Sequence, residues 1–319
     1  MKIVFAGTPS VAEPTLRRLA AEHEIVAVIT RLDAPQGRRR ILTPSPIADV
    51  AVSLGLPVIK ANRLDDDVTA QIAALKPELG VIVAYGGFVR EPLLSIPRLG
   101  WVNLHFSLLP RWRGAAPVQH AVIAGDAVTG AAVFQLVPAM DAGAVFGTIT
   151  QTIGAHQTAG NLLTSLADDG AALTARVVDE LASGVAVARE QTGEATLAPK
   201  LSLDDARLHW NEPSALLYQR LRGVTPEPGA FTFLSGQRFK ILEAEPARDA
   251  VQLPPGEFGL QGGAVVVGTG DHPLRLLSVQ PAGKKPMRAE DWWRGISSSG
   301  NGNGSGDTEN GETEKVVAE

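Results

Sequence analysis

LGWVNLHFSLLPRWRGAAPVQ, residues 99–119, is the stretch that decides the fold of this chain. The aromatic and β-branched residues between Leu99 and His105 predict a strand. Pro110 and Gly114 then break the chain before a helix predicted over residues 115–124. In a mostly parallel α/β sheet, ligands bind beyond the carboxyl ends of the strands. The stretch therefore predicts a functional site just after His105.

Side-chain alternation along this strand brings two polar groups to one face. Asn103 and His105 are two residues apart, so an amide and an imidazole can converge on one atom. A single polar residue at a strand end is more often a loop-capping hydrogen bonder than a catalyst. However, the sequence Met140-Asp141-Ala142-Gly143 places a carboxylate after a second apolar strand, residues 130–137. An amide, an imidazole and a carboxylate at strand ends are suited to acid–base and oxyanion chemistry.

The rest of the first half alternates strand and helix patterns. Helices are predicted at about residues 10–21, 65–76 and 158–183. Further strands are predicted at residues 2–6, 25–30, 57–60 and 79–85. This alternation predicts an α/β fold with a Rossmann-like, mostly parallel sheet over residues 1–183. The sequence contains neither GxGxxG nor GxxxxGK[ST], so no dinucleotide site or phosphate loop is predicted.

The second half of the chain has a different pattern. Residues 184–203 predict a linker, because Gly184, Gly193 and Pro199 interrupt them. Residues 204–296 contain short β-rich runs between glycine and proline turns, a pattern typical of a small β-barrel. Residues 297–319 are rich in glycine, serine, asparagine and acids, which predicts a disordered tail.

Composition excludes several kinds of site. The 319 residues include no cysteine, which rules out disulfides, thiolate metal ligands and a cysteine nucleophile. The six histidines lack an HExxH spacing, and no metal is expected. With no signal peptide and no run of about 18 apolar residues, we expect a cytoplasmic protein without a membrane span. The net charge is −5, of which residues 297–319 contribute −4, so any nucleic acid would have to bind to local basic patches.

NLHFSLLPRWRGAAP (residues 103–117) followed by MDAG (residues 140–143) resembles the signature of the formyltransferases that use 10-formyltetrahydrofolate. The likeness covers most of residues 2–295, and it includes FAGTPSVAEPTL (5–16), LTPSP (42–46), VAYGGFV (83–89), LAPKLSLDDARLHW (197–210), LRGVTPEPGAFT (221–232) and LLSVQPAGKKPM (276–287). Several of these runs lie in the second half. The resemblance thus implies a Rossmann-like catalytic domain followed by a small OB-like β-barrel domain that contacts tRNA.

The resemblance also implies a reaction. The formyl group on N10 of 10-formyltetrahydrofolate would pass to the α-amino group of methionine esterified to initiator tRNA, without a metal. Asn103 and His105 would surround the oxyanion as donors. Asp141 would orient His105 and favour its protonated form, and it could relay a proton towards N10. A monomer is expected.

Two further sets of residues follow from the resemblance. The folate would lie against the turn Ser107-Leu108-Leu109-Pro110, with Tyr85, Gly86 and Gly87 forming another wall. Phe106 stands where the family usually has a small residue, so the pocket beside His105 is expected to differ in shape.

The tRNA contacts are expected from a basic loop, residues 31–44, and from a second patch. The residues concerned are Arg38, Arg39, Arg40, Lys284 and Lys285. Arg38 is the best candidate for the key contact. The loop departs from the family pattern at Ala34 and Arg39, positions that are often arginine and glycine.

The sequence leaves three other functions open. Another folate-dependent formyltransferase, acting on a nucleotide or sugar amine, would share Asn103, His105 and Asp141. It would not need the β-rich second half. A formyltetrahydrofolate hydrolase would use water in place of the amine. An RNA-binding protein without catalytic activity would have no need of these three residues.

Overall fold

The computed structural model describes residues 1–37, 39–299 and 316–318, and these form two compact units. Unit 1 comprises Met1–Val118, Ala127–Ile153 and Asn161–Lys200. Unit 2 comprises Gln119–Asp126, Gly154–Gly160 and Leu201–Glu319. Arg38, the residue expected to make the key tRNA contact, lies outside the described residues, as does most of the predicted tail.

Unit 1 is built on a mostly parallel sheet. The chain contributes the strands β1 (Lys2–Gly7), β2 (Glu24–Thr30), β3 (Ala34–Gln36), β4 (Ile41–Thr43), β5 (Val58–Lys60), β6 (Leu79–Val83), β7 (Trp101–His105), β8 (Arg113–Gly114), β9 (Val128–Gln135), β10 (Val145–Thr152) and β11 (Leu197–Ala198). Seven of them form one sheet in the order β10-β9-β7-β6-β1-β2-β5. The five strands from β7 to β5 are parallel, and β9 pairs antiparallel with both β7 and β10. This confirms the predicted α/β fold class.

Two of the helices, α2 and α3, begin at a residue whose side chain caps them. In chain order the helices are α1 (Glu13–Glu22), α2 (Pro46–Ser53), α3 (Asp66–Leu75), α4 (Pro117–Ile123), α5 (Ala159–Ser183), α6 (Ser214–Gly223) and α7 (Ala289–Ser299). The LTPSP motif places the Ser45 hydroxyl 3.1 Å from the backbone N–H of Ala48, with Pro46 as the first residue of α2. Asp65 caps α3 in the same way through the N–H of Val68.

Trp101 fixes β7 in the middle of the sheet. Its side chain is fully buried, and its Nε1 donates to the carbonyl of Leu93 at 2.9 Å. The ring lies directly over Gly80 of β6, where an added Cβ would come within 2.1 Å of it. Burial of a ring of this size stabilises the fold by on the order of 3 kcal/mol. The strand that carries Asn103 and His105 is therefore held firmly at its amino end.

Unit 2 contains an antiparallel sheet. Its strands are β12 (Phe231–Leu234), β13 (Gln237–Pro246), β14 (Phe258–Gln261), β15 (Ala264–Val267), β16 (Leu274–Gln280) and β17 (Met287–Arg288). The order is β12-β13-β16-β15-β14, and β17 pairs with β16. The sheet curls around an aromatic core that includes Phe239, Phe258 and Trp292. A curled antiparallel sheet confirms the barrel-like second half that was predicted.

Helix α6 of unit 2 is held by a carboxylate at its first residue. Asp271 accepts a hydrogen bond from the backbone N–H of Ser214 at 2.7 Å. That bond, assisted by further bonds from His272 and Thr269, lowers the pKa of Asp271 to about 2. The carboxylate therefore stays ionised while it caps the helix.

Val316–Ala318 bridges the two end strands of this sheet. The N–H of Phe258 donates to Val316 at 2.9 Å, and the N–H of Ala318 donates to Gly256 at 2.9 Å. Ala318 also pairs with Leu234, the last residue of β12. The prediction of disorder from residue 297 onward is therefore wrong for these three residues, because the sheet supplies backbone partners for them. Residues 297–299 end α7, and residues 300–315 and 319 lie outside the described residues.

Two other predicted segments contain short strands. Residues 184–200, most of the predicted linker, belong to unit 1, where β11 pairs in parallel with β8. The predicted basic loop at residues 31–44 contains a short hairpin, in which β3 pairs with β4. In both cases backbone pairing was missed because the strands are only two or three residues long.

Among the described residues, no helix has the length and apolar character needed to cross a bilayer.

Candidate active site

The carboxyl end of β7 carries the two polar residues predicted from the sequence. Asn103 pairs with Ile82 of β6 on one side and with Phe134 of β9 on the other. The His105 side chain is only 6% exposed, and the edge of its ring faces Phe134 with ring centroids 6.3 Å apart. The order of the parallel strands reverses between β1 and β6, and β7 lies beside β6. Ligands of such sheets usually bind beyond the carboxyl ends of the strands near the point of reversal.

His105 is held through one ring nitrogen and faces a carboxylate with the other. Nε2 lies 2.9 Å from the carbonyl oxygen of Trp112. Because a carbonyl can only accept, Nε2 must carry the hydrogen, and in the neutral ring Nδ1 keeps a lone pair. Nδ1 lies 3.8 Å from Oδ2 of Asp141, too far for a hydrogen bond. The structure thus brings His105 and Asp141 together, and the basic Nδ1 of His105 faces the carboxylate of Asp141.

Burial decides the charge of His105. It lowers the pKa of His105 below the ordinary value of 6.5, although Asp141 and the Trp112 carbonyl both act to raise it. The resemblance implied that Asp141 would favour the protonated form. Asp141 acts in that direction, but desolvation is the larger effect, so the imidazole is neutral at neutral pH.

Asp141 is held by a backbone donor. Its Oδ2 accepts from the N–H of Gly114 at 2.8 Å, and its side chain is 14% exposed. Gly114 has φ of 127°, and a Cβ there would come within 2.6 Å of the Ala198 carbonyl oxygen. Only glycine fits at this position. The glycine that the sequence predicts as a chain break therefore also lets the backbone reach the carboxylate.

Asn103 is half-buried at the same strand end. Within the described part of the chain, its side-chain amide makes no hydrogen bond to protein groups. A carboxamide in this state can donate to an oxygen of a substrate. The arrangement thus combines an amide donor, a neutral imidazole and a carboxylate.

The predicted folate turn divides into two kinds of residue. Ser107 is fully buried, and its hydroxyl donates to the carbonyl of Arg111 at 2.6 Å, so it serves the turn itself. Leu108, Leu109 and Pro110 are half-buried and present apolar surface. Phe106 is 6% exposed, so its ring packs inside the protein.

The predicted second wall of the folate pocket needs correction at Tyr85. Its ring lies in the core of unit 1 at 1% exposure, and its hydroxyl donates to the carbonyl of Ala61 at 2.7 Å. Gly86 instead offers backbone, and its carbonyl accepts from Arg31 at 2.7 Å. Two apolar side chains are exposed: Phe88, two residues after Gly86, at 71%, and Met140, directly before Asp141, at 50%. Their exposure could not be read from the sequence.

Unit 1 also contains an open cavity of about 510 Å³. Its lining includes Leu109 of the predicted turn, Val145 and Phe146 of β10, and Arg189. Asn103, His105 and Asp141 do not line it.

The predicted tRNA-binding residues that the structure describes lie on exposed turns. Arg39 and Arg40 lie in the turn between β3 and β4, where the N–H of Arg40 donates to Gly37 at 3.2 Å. Lys284 and Lys285 lie in the exposed turn between β16 and β17 of unit 2. None of these four cations takes part in an ion pair within the described residues.

One group of side chains in the described residues has the spacing of metal ligands. It consists of Glu22 and His23 at the end of α1 and Asp179 of α5. His23 already lies 3.4 Å from the Asp179 carboxylate, and Glu22 and Asp179 are exposed. These residues are not among those predicted for catalysis, and exposed carboxylates commonly occur without an ion.

Two family models match the chain in succession. The formyl transferase model matches residues 1–178, and the model of the formyl transferase C-terminal domain matches residues 200–297. The chain belongs to the formyl transferase family. The first match contains the whole Asn103, His105 and Asp141 constellation, and the second contains the curled sheet of unit 2.

Relatives in this family include a protein named methionyl-tRNA formyltransferase from Clavibacter sepedonicus. It is 58% identical over 298 residues, which is 93% of this chain and 98% of the relative. The family activity, transfer of a formyl group, is therefore the activity of this chain.

Two solved structures share the fold. The N-formyltransferase from Helicobacter canadensis, solved with folinic acid and dTDP-3-aminofucose, has a TM-score of 0.66 at 14% identity over 88% of this chain and 99% of its own. HypX from Aquifex aeolicus, solved with tetrahydrofolic acid, has a TM-score of 0.61 at 17% identity. That match covers 100% of this chain, which spans about half of HypX.

Proposed function

We propose that this formyltransferase transfers the formyl group of 10-formyltetrahydrofolate to the α-amino group of methionine on initiator tRNA. The observation that carries the proposal is the strand-end constellation, in which a neutral imidazole nitrogen lies 3.8 Å from a carboxylate, beside a half-buried amide. The full-length likeness to methionyl-tRNA formyltransferases supports the choice of acceptor.

The chemistry follows from these three side chains. An α-amino group has a pKa of about 8, so it must lose a proton to solvent before its lone pair can attack. Attack on the formyl carbon forms a bond to nitrogen and leaves negative charge on the formyl oxygen. The amide of Asn103 donates to that oxygen. The arrangement places the developing charge beside a donor that has no competing partner among the described residues.

His105 then moves the proton between the two nitrogens. Nδ1 accepts the proton from the positively charged amine, and Asp141 stabilises the imidazolium that results. The same proton passes to N10 of the folate, so that the bond from N10 to the formyl carbon breaks as the carbonyl re-forms. His105 and Asp141 finish the reaction in the states in which they began, and no metal takes part in the steps described.

The folate and tRNA would be held by different surfaces. Leu108, Leu109 and Pro110, together with the backbone of Gly86, offer apolar and carbonyl contacts suited to the folate rings. The cations at Arg38, Arg39, Arg40, Lys284 and Lys285 would bind phosphates of the tRNA.

A direct assay tests the proposal. Formyl transfer from 10-formyltetrahydrofolate should be measured with charged initiator tRNA, charged elongator methionine tRNA, and dTDP-linked amino sugars. A strong preference for the initiator supports the proposal. Preference for an amino sugar would make the protein a sugar formyltransferase, and formate without a formylated product would make it a formyltetrahydrofolate hydrolase.

Replacement of the hairpin arginines should weaken tRNA binding selectively. With Arg39→Ala and Arg40→Ala combined, we expect the KM for initiator tRNA to rise by about tenfold, because each arginine removed is a lost phosphate contact. The slope of log KM against log salt should become shallower by about 1 to 2. The KM for the folate should not change.

The matched control is Arg63→Ala, which removes another exposed arginine of unit 1. This variant should behave like the unmodified protein. An equal loss of folate and tRNA binding in the double variant would contradict the assignment of the hairpin to tRNA.

A further inference from the structure

We infer that Gln191 is a positioning residue that holds the Asp141 loop in the geometry needed for formyl transfer. The inference rests on the proposed function, because it concerns the same site. Gln191 lies between the two family domains, residues 1–178 and 200–297, in a segment that the sequence predicts as a linker. Its side-chain amide nevertheless reaches the loop after β9. Nε2 donates to the carbonyl of Asp141 at 2.8 Å and to that of Gly143 at 2.9 Å.

The other end of the same side chain binds the segment that holds the carboxylate. Oε1 accepts two hydrogen bonds from Arg113, at 3.2 Å from Nε and 2.6 Å from Nη2. Arg113 directly precedes Gly114, whose N–H donates to Oδ2 of Asp141. Gln191 therefore joins the backbone of Asp141 to the strand β8 that binds the Asp141 side chain, and both N–H donors of its amide are used.

The Asp141 loop needs such a support. Asp141 has φ of 48°, a left-handed conformation that is unfavourable for a residue with a Cβ. The three residues before it, 138–140, are exposed and so add little packing. Gly143 approaches Gln135 so closely that a Cβ would lie 1.7 Å from its carbonyl oxygen. Hydrogen bonds from outside the loop therefore have to select this conformation.

Thr196 supports the segment that binds His105 through similar hydrogen bonds. Trp112, whose carbonyl accepts from His105, donates its own N–H to the hydroxyl of Thr196 at 2.9 Å. The N–H of Arg113 donates to the Thr196 carbonyl at 2.8 Å. Residues 191–198 thus act as a scaffold on which both partners of the proton-transfer pair depend. A displacement of about 1 Å in such a pair can cost about 10²-fold in rate.

The test uses Gln191→Met, which keeps the length of the side chain and removes all of its hydrogen bonds. We expect kcat for formyl transfer to fall by about 10- to 100-fold, with the KM of both substrates within a few-fold of the unmodified protein.

The acidic limb of the pH profile of kcat/KM should also move to lower pH. Among the described residues, Asp141 is the charged group that raises the pKa of His105, while the guanidinium of Arg113 is turned to Gln191. Displacement of the carboxylate would remove that effect.

Gln191→Glu provides a second variant in case methionine disturbs folding. A glutamate keeps an acceptor for Arg113 but has no donor for the two carbonyls at neutral pH, so it should show the same shift. Gln151→Met is the matched control, because Gln151 is a half-buried glutamine of unit 1 that bonds to Ser165 and takes no part in the site. A variant that only folds less well would contain less active protein, but the acidic limb of its kcat/KM profile would stay at the same pH as in the unmodified protein.

Asp141→Asn separates this inference from the proposed function. If Asp141→Asn moves the acidic limb and both Gln191 variants do not, the role of Gln191 is overturned while the site stands. If Asp141→Asn leaves the limb in place, the proposed pairing of Asp141 with His105 fails, and the role of Gln191 fails with it. A double variant of Asp141→Asn and Gln191→Met should show no shift beyond that of Asp141→Asn alone.

Discussion

His105→Ala should lower kcat for formyl transfer by about 10³-fold, the middle of the range for loss of a general acid–base group. The variant keeps the amide of Asn103 and the surfaces assigned to folate and tRNA, so the KM of each substrate should stay within a few-fold. The measurement is steady-state kinetics with charged initiator tRNA, together with thermal unfolding, because His105 is buried and bonded to Trp112.

The control for this prediction is His209→Ala. His209 is exposed in unit 2 and belongs to no part of the site. Its variant should retain full activity. A folded His105→Ala protein with more than about a tenth of the original kcat would mean that another group moves the proton.

Asp141→Asn should lower kcat by about 10² to 10³-fold and change the pH profile as well. Asparagine keeps an oxygen for the N–H of Gly114, but it removes the charge that stabilises the imidazolium. His105 must be neutral to accept a proton, so activity is lost as the pH falls through its pKa. Asp141 raises that pKa. Its replacement therefore lowers the pKa further and moves the acidic limb to lower pH.

The profile of kcat/KM from about pH 5 to about pH 8 measures this shift. In the unmodified protein, kcat/KM should first fall below about pH 8, as the α-amino group of the substrate gains a proton. The limb that reports His105 should follow below the ordinary histidine value of 6.5, since burial lowers the pKa of His105. A limb that moves to higher pH in Asp141→Asn would contradict the assigned direction of the Asp141 effect.

The sequence predicted the parts of the fold and site that depend on local patterns. Strand alternation was enough to bring Asn103 and His105 to one strand end, and β7 ends at His105 as predicted. The apolar run before Asp141 was enough to give a second strand end beside it. These features depend on neighbours in the chain, so periodicity and chain breaks reveal them.

Contacts between distant segments could not be predicted in this way. Gln191 bonds to a loop 50 residues earlier, through backbone carbonyls that leave no pattern in the sequence. Tyr85 was expected at a pocket wall, but β6 ends at Val83 and the ring turns back into the core. The sequence also could not predict the charge of His105, because that charge depends on how completely the surrounding chain excludes water.

The short pairing of Val316–Ala318 covers backbone groups at the edges of the sheet in unit 2. Without these residues, the last part of β12 and the backbone beside β14 would present unpaired N–H and C=O groups. Exposed strand edges of this kind are templates for pairing with other chains, and they promote aggregation. The segment lies beyond residue 297, where the family match ends. A stretch beyond the family match thus supplies backbone partners to both end strands of the sheet in unit 2.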